Sequence, residues 1–198
     1  MVNWEDNLPP IVRQRLATIG ELSPEEKENM MASERVDSLL SKFHEGRIDP
    51  ESLWKRLKEE RRPSFLREAQ MKLVDSLSLG STRAETKRKR DGILAIETLK
   101  EEQNTSVLEL DLDLVDDLQE RYRAEAEQTY NSLRAEVEKD PRLRIRQAPQ
   151  GQNTMMIQLT PDEATKELPE WRDFLSHHEK RYNEDFAKVV GRLRGRLE

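Results

Sequence analysis

The chain has 198 residues, of which 37% are charged and only 34% are hydrophobic, and its net charge is −6. Soluble domains typically have about 25% charged and 45–50% hydrophobic residues, so this composition excludes a deep, many-layered core and favours long helices that each bury one apolar stripe. Cysteine is absent, which excludes disulfides, thiolate metal sites and cysteine nucleophiles.

The first residues carry no targeting signal. Residues 1–6 contain neither a basic region nor an apolar core, so we expect no secretory signal. No apolar run approaches the roughly 18 residues of a membrane span. Together with the absence of cysteine, these features predict a cytoplasmic protein that has no membrane partner.

Short helices are predicted throughout residues 1–80. The spacing of apolar residues and the positions of proline and glycine indicate helices at 11–19, 23–46, 49–62 and 64–77. Ser23, Asp49 and Ser64 are the predicted N-caps, and Glu26 completes a capping box with Ser23. Gly46 has the residue type that most often follows a helix C-terminus.

The next predicted helix begins with a second capping box, formed by Thr82 and Glu85. Its first two turns are basic and its later turns are apolar. Gly92 lies inside this helix at a cost of about 1 kcal/mol relative to alanine, which favours a kink or a break there.

A long amphipathic helix is predicted to end at Asp140-Pro141. Its apolar residues step by three or four, which is the period of one helix face; they are Leu108, Leu112, Val115, Leu118, Tyr122, Ala126, Tyr130, Leu133 and Val137. The start of this helix is ambiguous, because residues 108–114 alternate between leucine and an acid, as a strand does. We favour a helix that begins near Asp111, and a short strand at 107–112 is the alternative.

A β-hairpin is predicted at about 142–159. Two short alternating runs flank a turn that contains proline and glycine. An isolated hairpin is marginally stable in water, so we expect this one to lean on the helices. A last helix is predicted to follow Pro169, and its apolar stripe comprises Leu168, Trp171, Leu175, His178, Tyr182, Phe186, Val189, Leu193 and Leu197.

Charge predicts how the two long helices pair. Residues 107–120 contain six acids and no base, whereas residues 190–197 contain three arginines and no acid. An antiparallel pair would bring these two segments together, and each sign suits its own helix terminus. The predicted fold is therefore mostly α, with an N-terminal cluster of short helices at 1–80. Residues 81–198 are predicted to form an extended helical bundle of long antiparallel helices that carries the small β-hairpin.

No catalytic, cofactor-binding or metal site is predicted. Asp113, Asp116 and Asp117 could share one helix face and bind Mg²⁺ through oxygen ligands. An acid-rich first turn that complements the helix dipole, or a face paired with the C-terminal arginines, is the simpler interpretation. The three histidines lack metal-ligand spacing, and His178 is predicted to be a packed residue with one hydrogen bond. Nucleotide-binding and nucleophile motifs are absent, although an enzyme site assembled from scattered side chains would leave no motif.

Five of the eight residues at 83–90 are basic, and together with the preceding residues 73–82 they resemble a helix-turn-helix. The resemblance implies that the second helix lies along a nucleic-acid groove and neutralises phosphates. The chain departs from that motif at Ser81 and Thr86, where such motifs carry apolar residues. The simpler interpretation is a solvated helix face. The candidate nucleic-acid residues are Arg83, Lys87, Arg88, Lys89, Arg90, Arg142, Arg144 and Arg146.

Two functions from different classes follow from these patterns. The first is a non-enzymatic helical interaction module (an adaptor, an assembly factor or a complex subunit) that binds protein partners or a second copy through its helix faces and hairpin. It requires apolar surface that stays exposed after the two stripes have paired. The second is a nucleic-acid-associated protein that binds through residues 83–90. The net negative charge favours the first, and no small-molecule substrate or cofactor is inferred.

Overall fold

The structure is a computed structural model, and it describes residues 23–60, 62–150 and 153–197. The helix predicted at 11–19 lies outside these residues. The elements are α1 (Pro24–His44), α2 (Pro50–Glu60), α3 (Pro63–Asp75), α4 (Arg83–Glu97), α5 (Thr105–Lys139), a 3-10 turn (Pro141–Arg144), β1 (Ile145–Gln150), β2 (Asn153–Gln158), α6 (Pro161–Glu167) and α7 (Pro169–Leu197). The predicted fold class is confirmed, because the described chain is mostly α, with long helices, short N-terminal helices and one small antiparallel hairpin.

Most helices begin at the N-cap residues that the sequence predicts. The capping boxes predicted at Ser23 and Thr82 are present, and Asp49 accepts a hydrogen bond from the backbone of Ser52 at 2.7 Å. Gly46 has a φ of 74°, a left-handed conformation that costs a glycine nothing. The predicted cap at Ser64 is wrong by two residues, because α3 begins at Pro63 with Arg62 as its N-cap.

α4 runs through Gly92 without interruption, so a break there is wrong. The reason for the glycine is packing. A Cβ atom added at Gly92 would lie 2.8 Å from Cζ of Phe43 and 3.2 Å from Cδ1 of Leu73. Both of these side chains are fully buried, so the glycine lets α1 and α3 approach α4 closely.

The long helix α5 begins at Thr105, which is earlier than predicted, and the alternative strand at 107–112 is wrong. The alternation over 108–114 satisfies a helix as well. Leu108 and Leu112 are buried at a spacing of four, whereas Leu110 is 65% exposed. The helix period therefore decides which leucines are buried, and the others remain at the surface.

α5 and α7 form a long antiparallel pair. The charge pairing predicted between their ends is confirmed: Asp111, whose carboxylate is almost fully buried, lies 2.6 Å from Arg196 and 3.6 Å from Arg192. Arg194 instead contacts Asp75 at the end of α3, at 2.6 Å. The buried residues of both predicted stripes lie between the helices and their neighbours.

The core lies at one end of this pair. Buried side chains of α1, α2, α3 and α4 form one cluster with the first half of α5 and the second half of α7, because α3 packs against α7 and α4 packs against α5. The division predicted at residue 80 stays a prediction. Within the described residues, no helix is long and apolar enough to cross a membrane.

The hairpin lies at the other end of the pair. Its strands occupy 145–150 and 153–158, and residues 141–144 form a 3-10 turn, so the start predicted at 142 was three residues early. The base of the hairpin leans on the helices as predicted, because Leu143 and Leu159 pack against a second buried cluster that contains Val137, Ala164 and Leu168.

Candidate interaction surfaces

The cations of residues 83–90, here called the basic segment, lie on the first two turns of α4, and three of them are half-buried against neighbouring elements. Arg90 lies 2.6 Å from Asp113 and 3.0 Å from Asp116, both on α5, and its side chain is only 22% exposed. Burial lowers the pKa of Arg90, but the two carboxylates outweigh burial and raise it overall. Arg90 therefore joins α4 to α5.

Arg88 and Lys89 fix α4 to the ends of two other helices. Arg88 donates a hydrogen bond to the carbonyl oxygen of His44, the last residue of α1, at 3.2 Å. Lys89 donates to the carbonyl oxygen of Ser76, the C-cap of α3, and burial lowers the pKa of this lysine. Carbonyl groups at helix C-termini carry partial negative charge, so a cation at each of these places is favourable.

Arg83 and Lys87 are the exposed members of the basic segment. Arg83 pairs with Glu120 at 2.9 Å, and both of these side chains are largely in solvent. Exposed pairs of this kind contribute only about 0–1 kcal/mol. Lys87 is exposed and forms no salt bridge within the part of the chain that the structure describes. Phosphates could therefore reach Arg83 and Lys87 without disrupting the packing of α4.

Thr86, one of the two departures from the helix-turn-helix pattern, holds α4 on α5 by polar contacts. It is buried, and its hydroxyl lies 2.8 Å from Oε1 of Gln119 and 3.1 Å from the carbonyl oxygen of Thr82. Gln119 is also buried and donates to the carbonyl oxygen of Ser78 at 2.7 Å. A hydrogen-bonded pair thus replaces the apolar contact that the motif would make.

The acidic face of α5 is partly occupied by one arginine of α4. Asp113 and Asp116 both contact Arg90, as described above, whereas Asp117 is exposed. The predicted pairing of these aspartates with the C-terminal arginines is therefore wrong for Asp113 and Asp116, because their partner comes from α4 and the C-terminal arginines contact Asp111 instead. Among the residues that the structure describes, no group of three or more His, Asp or Glu side chains could hold a metal ion.

The three arginines near the hairpin are separate from the basic segment. Arg142 forms an exposed ion pair with Asp140 at 3.0 Å, and Arg146 pairs with an acid of α6 at 3.1 Å. Arg144 is half-buried, and its Nε has no hydrogen-bond partner in the described part of the chain. At 1.5 Å per helical residue, Asp140 lies about 30 Å along α5 from Glu120, the residue that Arg83 contacts. The structure does not bring the two groups of arginines together.

His178 is a packed residue with one hydrogen bond, as predicted. Its side chain is almost fully buried, and Nε2 lies 2.9 Å from the carbonyl oxygen of Tyr122. The imidazole stacks on Tyr122 and on Phe174, with ring centroids 4.8 and 4.7 Å away. His178 therefore belongs to an aromatic ladder between α5 and α7.

Burial and the nearby cations Lys89 and Arg88 lower the pKa of His44.

Several large apolar side chains of the described residues remain exposed after the helices have packed. They occur at the start of α1, on the outer side of α5 and on the hairpin, and they are Met30, Met31, Leu110, Leu114, Ile145, Met155 and Met156. The hairpin carries three of them within two short strands. These side chains are the exposed large apolar surface that remains on the described residues once the helices have packed.

The register of the hairpin decides which residues share a face. Ile145 pairs with Gln158 and Gln147 pairs with Met156, and all four of these side chains are exposed on the outer face. The other face pairs Arg146 with Ile157, and both of these are half-buried. Sequence reasoning missed this pairing. Gly151-Gln152 between the strands has the Gly-x pattern of a two-residue hairpin turn, which would have fixed the register.

The fold and these surfaces define a mostly α protein in which one end of a long antiparallel helix pair is packed into a core and the other end carries a β-hairpin. A family model described as a family of unknown function (DUF6657) matches residues 51–195. The chain belongs to this family, and the matched residues include the basic segment, both long helices and the hairpin. Comparison with curated proteins and with solved structures found no match.

Proposed function

We propose that the chain is a non-enzymatic protein–protein interaction module that acts as an adaptor, an assembly factor or a complex subunit. The observation that carries the proposal is the pair of apolar side chains on the outer face of the hairpin, where Met156 is 61% exposed and Ile145 is 40% exposed. Single exposed apolar residues are normal, but a group of them on one small element is typical of an interaction site. The long helices would hold this element away from the core.

Affinity capture from a native lysate tests the proposal, with nuclease added so that only protein-mediated contacts survive. The variant Ile145→Ser/Met156→Ser makes the outer face polar. Met30→Ser is the matched control, because Met30 is also an exposed methionine, 50% in solvent, but lies on α1. We expect a defined set of proteins to bind the wild type and the control but not the double variant. If the wild type and both variants retain the same set of proteins, the role of the hairpin is contradicted. If none of them retains any protein, the interaction module itself is contradicted.

The nucleic-acid function through the basic segment has less support, because Arg88, Lys89 and Arg90 already have partners within the fold. Its test uses the two exposed cations. Arg83→Ala/Lys87→Ala removes the exposed Arg83–Glu120 pair but leaves the contacts of Arg88, Lys89 and Arg90 intact. Under this hypothesis it would weaken salt-dependent binding of an oligonucleotide. Co-purifying proteins that disappear after nuclease treatment, together with this loss, would favour the nucleic-acid function over the interaction module.

A further inference from the structure

The two edges of the hairpin differ in how well they are protected. The backbone N–H of Leu159 donates to the carbonyl oxygen of Arg144 at 2.8 Å, just below the strands. Because hydrogen-bonded and non-hydrogen-bonded pairs alternate in an antiparallel ladder, the main-chain groups of residues 145, 147 and 149 point outward from β1. By the same register, those of residues 154, 156 and 158 point outward from β2.

The β1 edge is blocked. Pro149 stands at an outward position and has no N–H to offer, as is usual for proline on an edge strand. The outward carbonyl oxygen of Ile145 accepts a hydrogen bond from Nη1 of Arg146 at 3.2 Å. A strand that approached from this side would find no N–H donor at Pro149. It would also compete with the side chain of Arg146 for the carbonyl oxygen of Ile145.

The β2 edge has none of these protections. Residues 153–158 contain no proline and no charged residue. The outward main-chain groups of Met156 and Gln158 form no hydrogen bond with another residue of the described chain. Natural proteins usually protect an open edge with charge, proline or a covering element, so an unprotected edge beside a protected one indicates a strand that pairs with another chain.

From these observations the geometry points to strand addition at β2, in which an extended segment of a partner protein pairs with Met156 and Gln158 as a third strand. This inference rests on the proposed function and names the partner's chemistry. Apolar side chains of the segment would extend the outer face beside Met156. The only charged residues in 141–161 are three arginines. Arg142 and Arg146 pair with Asp140 and Glu167, but Arg144 forms no ion pair within the described chain, so an acidic residue in the segment is the electrostatic match.

The test uses a fluorescein-labelled peptide of eight alternating glutamate and valine residues, with binding measured by fluorescence anisotropy on the full chain. We expect saturable binding that is at least tenfold tighter than that of the matching lysine–valine peptide. Met156→Pro should weaken binding at least tenfold, because proline removes one outward N–H, whereas the control Met156→Ala keeps the N–H and should change binding only a few-fold. Equal binding by Met156→Pro and Met156→Ala would overturn the inference.

A second measurement changes the ligand and leaves the protein intact. N-methylation of the valines removes the main-chain donors on one edge of the peptide, N-methylation of the glutamates removes those on the other edge, and both changes leave the side-chain charges unchanged. Loss of binding by one of the two methylated registers supports strand pairing, and equal binding by all forms overturns it. Sedimentation of the free chain tests whether a second copy of this chain pairs with β2 instead. A dimer that Met156→Pro abolishes would overturn the inference that β2 pairs with a segment of a partner protein. If no peptide binds but the captured proteins still depend on the hairpin, the inference fails and the proposed function stands.

Discussion

Replacing Gly92 by alanine should destabilise the protein, although alanine is the better helix former. Alanine gains about 1 kcal/mol of helix propensity over glycine in a helix interior. The new Cβ would lie 2.8 and 2.9 Å from two ring atoms of Phe43, whereas carbon atoms pack best at about 3.5–4.0 Å. Overpacking of a buried site costs about 1–3 kcal/mol, so we expect Gly92→Ala to lower the free energy of unfolding by up to about 2 kcal/mol.

Gly191→Ala is the matched control, because Gly191 is an exposed interior residue of α7 and a Cβ there would have no neighbour within 4 Å. It should raise stability by about 0.5–1 kcal/mol. The difference between the two variants in urea unfolding cancels the propensity term and isolates packing. In a Phe43→Leu background, Gly92→Ala should cost less than in the wild type. Equal stabilisation by Gly92→Ala and Gly191→Ala would refute the packing argument.

Three further predictions concern buried polar groups, and urea unfolding measures each of them. Burial raises the pKa of Glu97, but hydrogen bonds to its carboxylate outweigh burial and lower it overall. The stability that this group contributes should therefore be present at pH 7 and be lost as the pH falls below about 4.5. Between pH 7 and pH 3, Glu97→Gln should lose less free energy of unfolding than the wild type does. Gln119→Leu should cost about 1–3 kcal/mol because it leaves the carbonyl oxygen of Ser78 and the hydroxyl of Thr86 without this partner; no loss would contradict the polar contact. Asp111→Ala should cost more than removing either of its half-exposed arginine partners, and the reverse order would contradict its burial.

The sequence predicted the long helices well because both helix period and charge extend over many residues. A stripe that repeats over 30 residues leaves little choice of secondary structure. The pairing of Asp111 with Arg196 followed from opposite charges gathered at the two chain segments that an antiparallel pair brings together. Such long-range charge patterns contain information about topology that a single short motif lacks.

The sequence could not resolve features that depend on a single tertiary neighbour. The alternation around Leu110 satisfies a strand and a helix equally, and only the packing of Leu108 and Leu112 decides between them. Glycine is a residue type that breaks helices, but the role of Gly92 depends on the ring of Phe43, which is distant in sequence. Local propensity is a weak signal when a buried contact opposes it.

The basic segment shows the same limit for a candidate site. A run of cations looks alike whether it binds phosphate or the protein itself. The partners of Arg88 and Lys89 are backbone carbonyl oxygens at helix ends, and every residue type has such a carbonyl, so no side-chain pattern could reveal them. Only the tertiary structure separates the exposed Arg83 and Lys87 from the cations that hold α4 in place.

The hairpin connects fold and proposed function through its stability. Two strands alone are marginally stable in water, and here the packing of Leu143 and Leu159 against the helices orders only the base. The described main-chain groups on the outer edge of β2 have no hydrogen-bond partner within the described chain, and another strand would supply one. A third strand would therefore stabilise the hairpin as it binds, and the apparent affinity would depend on how fully the free hairpin is formed. A substitution that weakens the base, such as Leu159→Ala, should reduce affinity for the glutamate–valine peptide although Leu159 never contacts it; unchanged affinity in a variant with a demonstrably weaker hairpin would contradict this coupling.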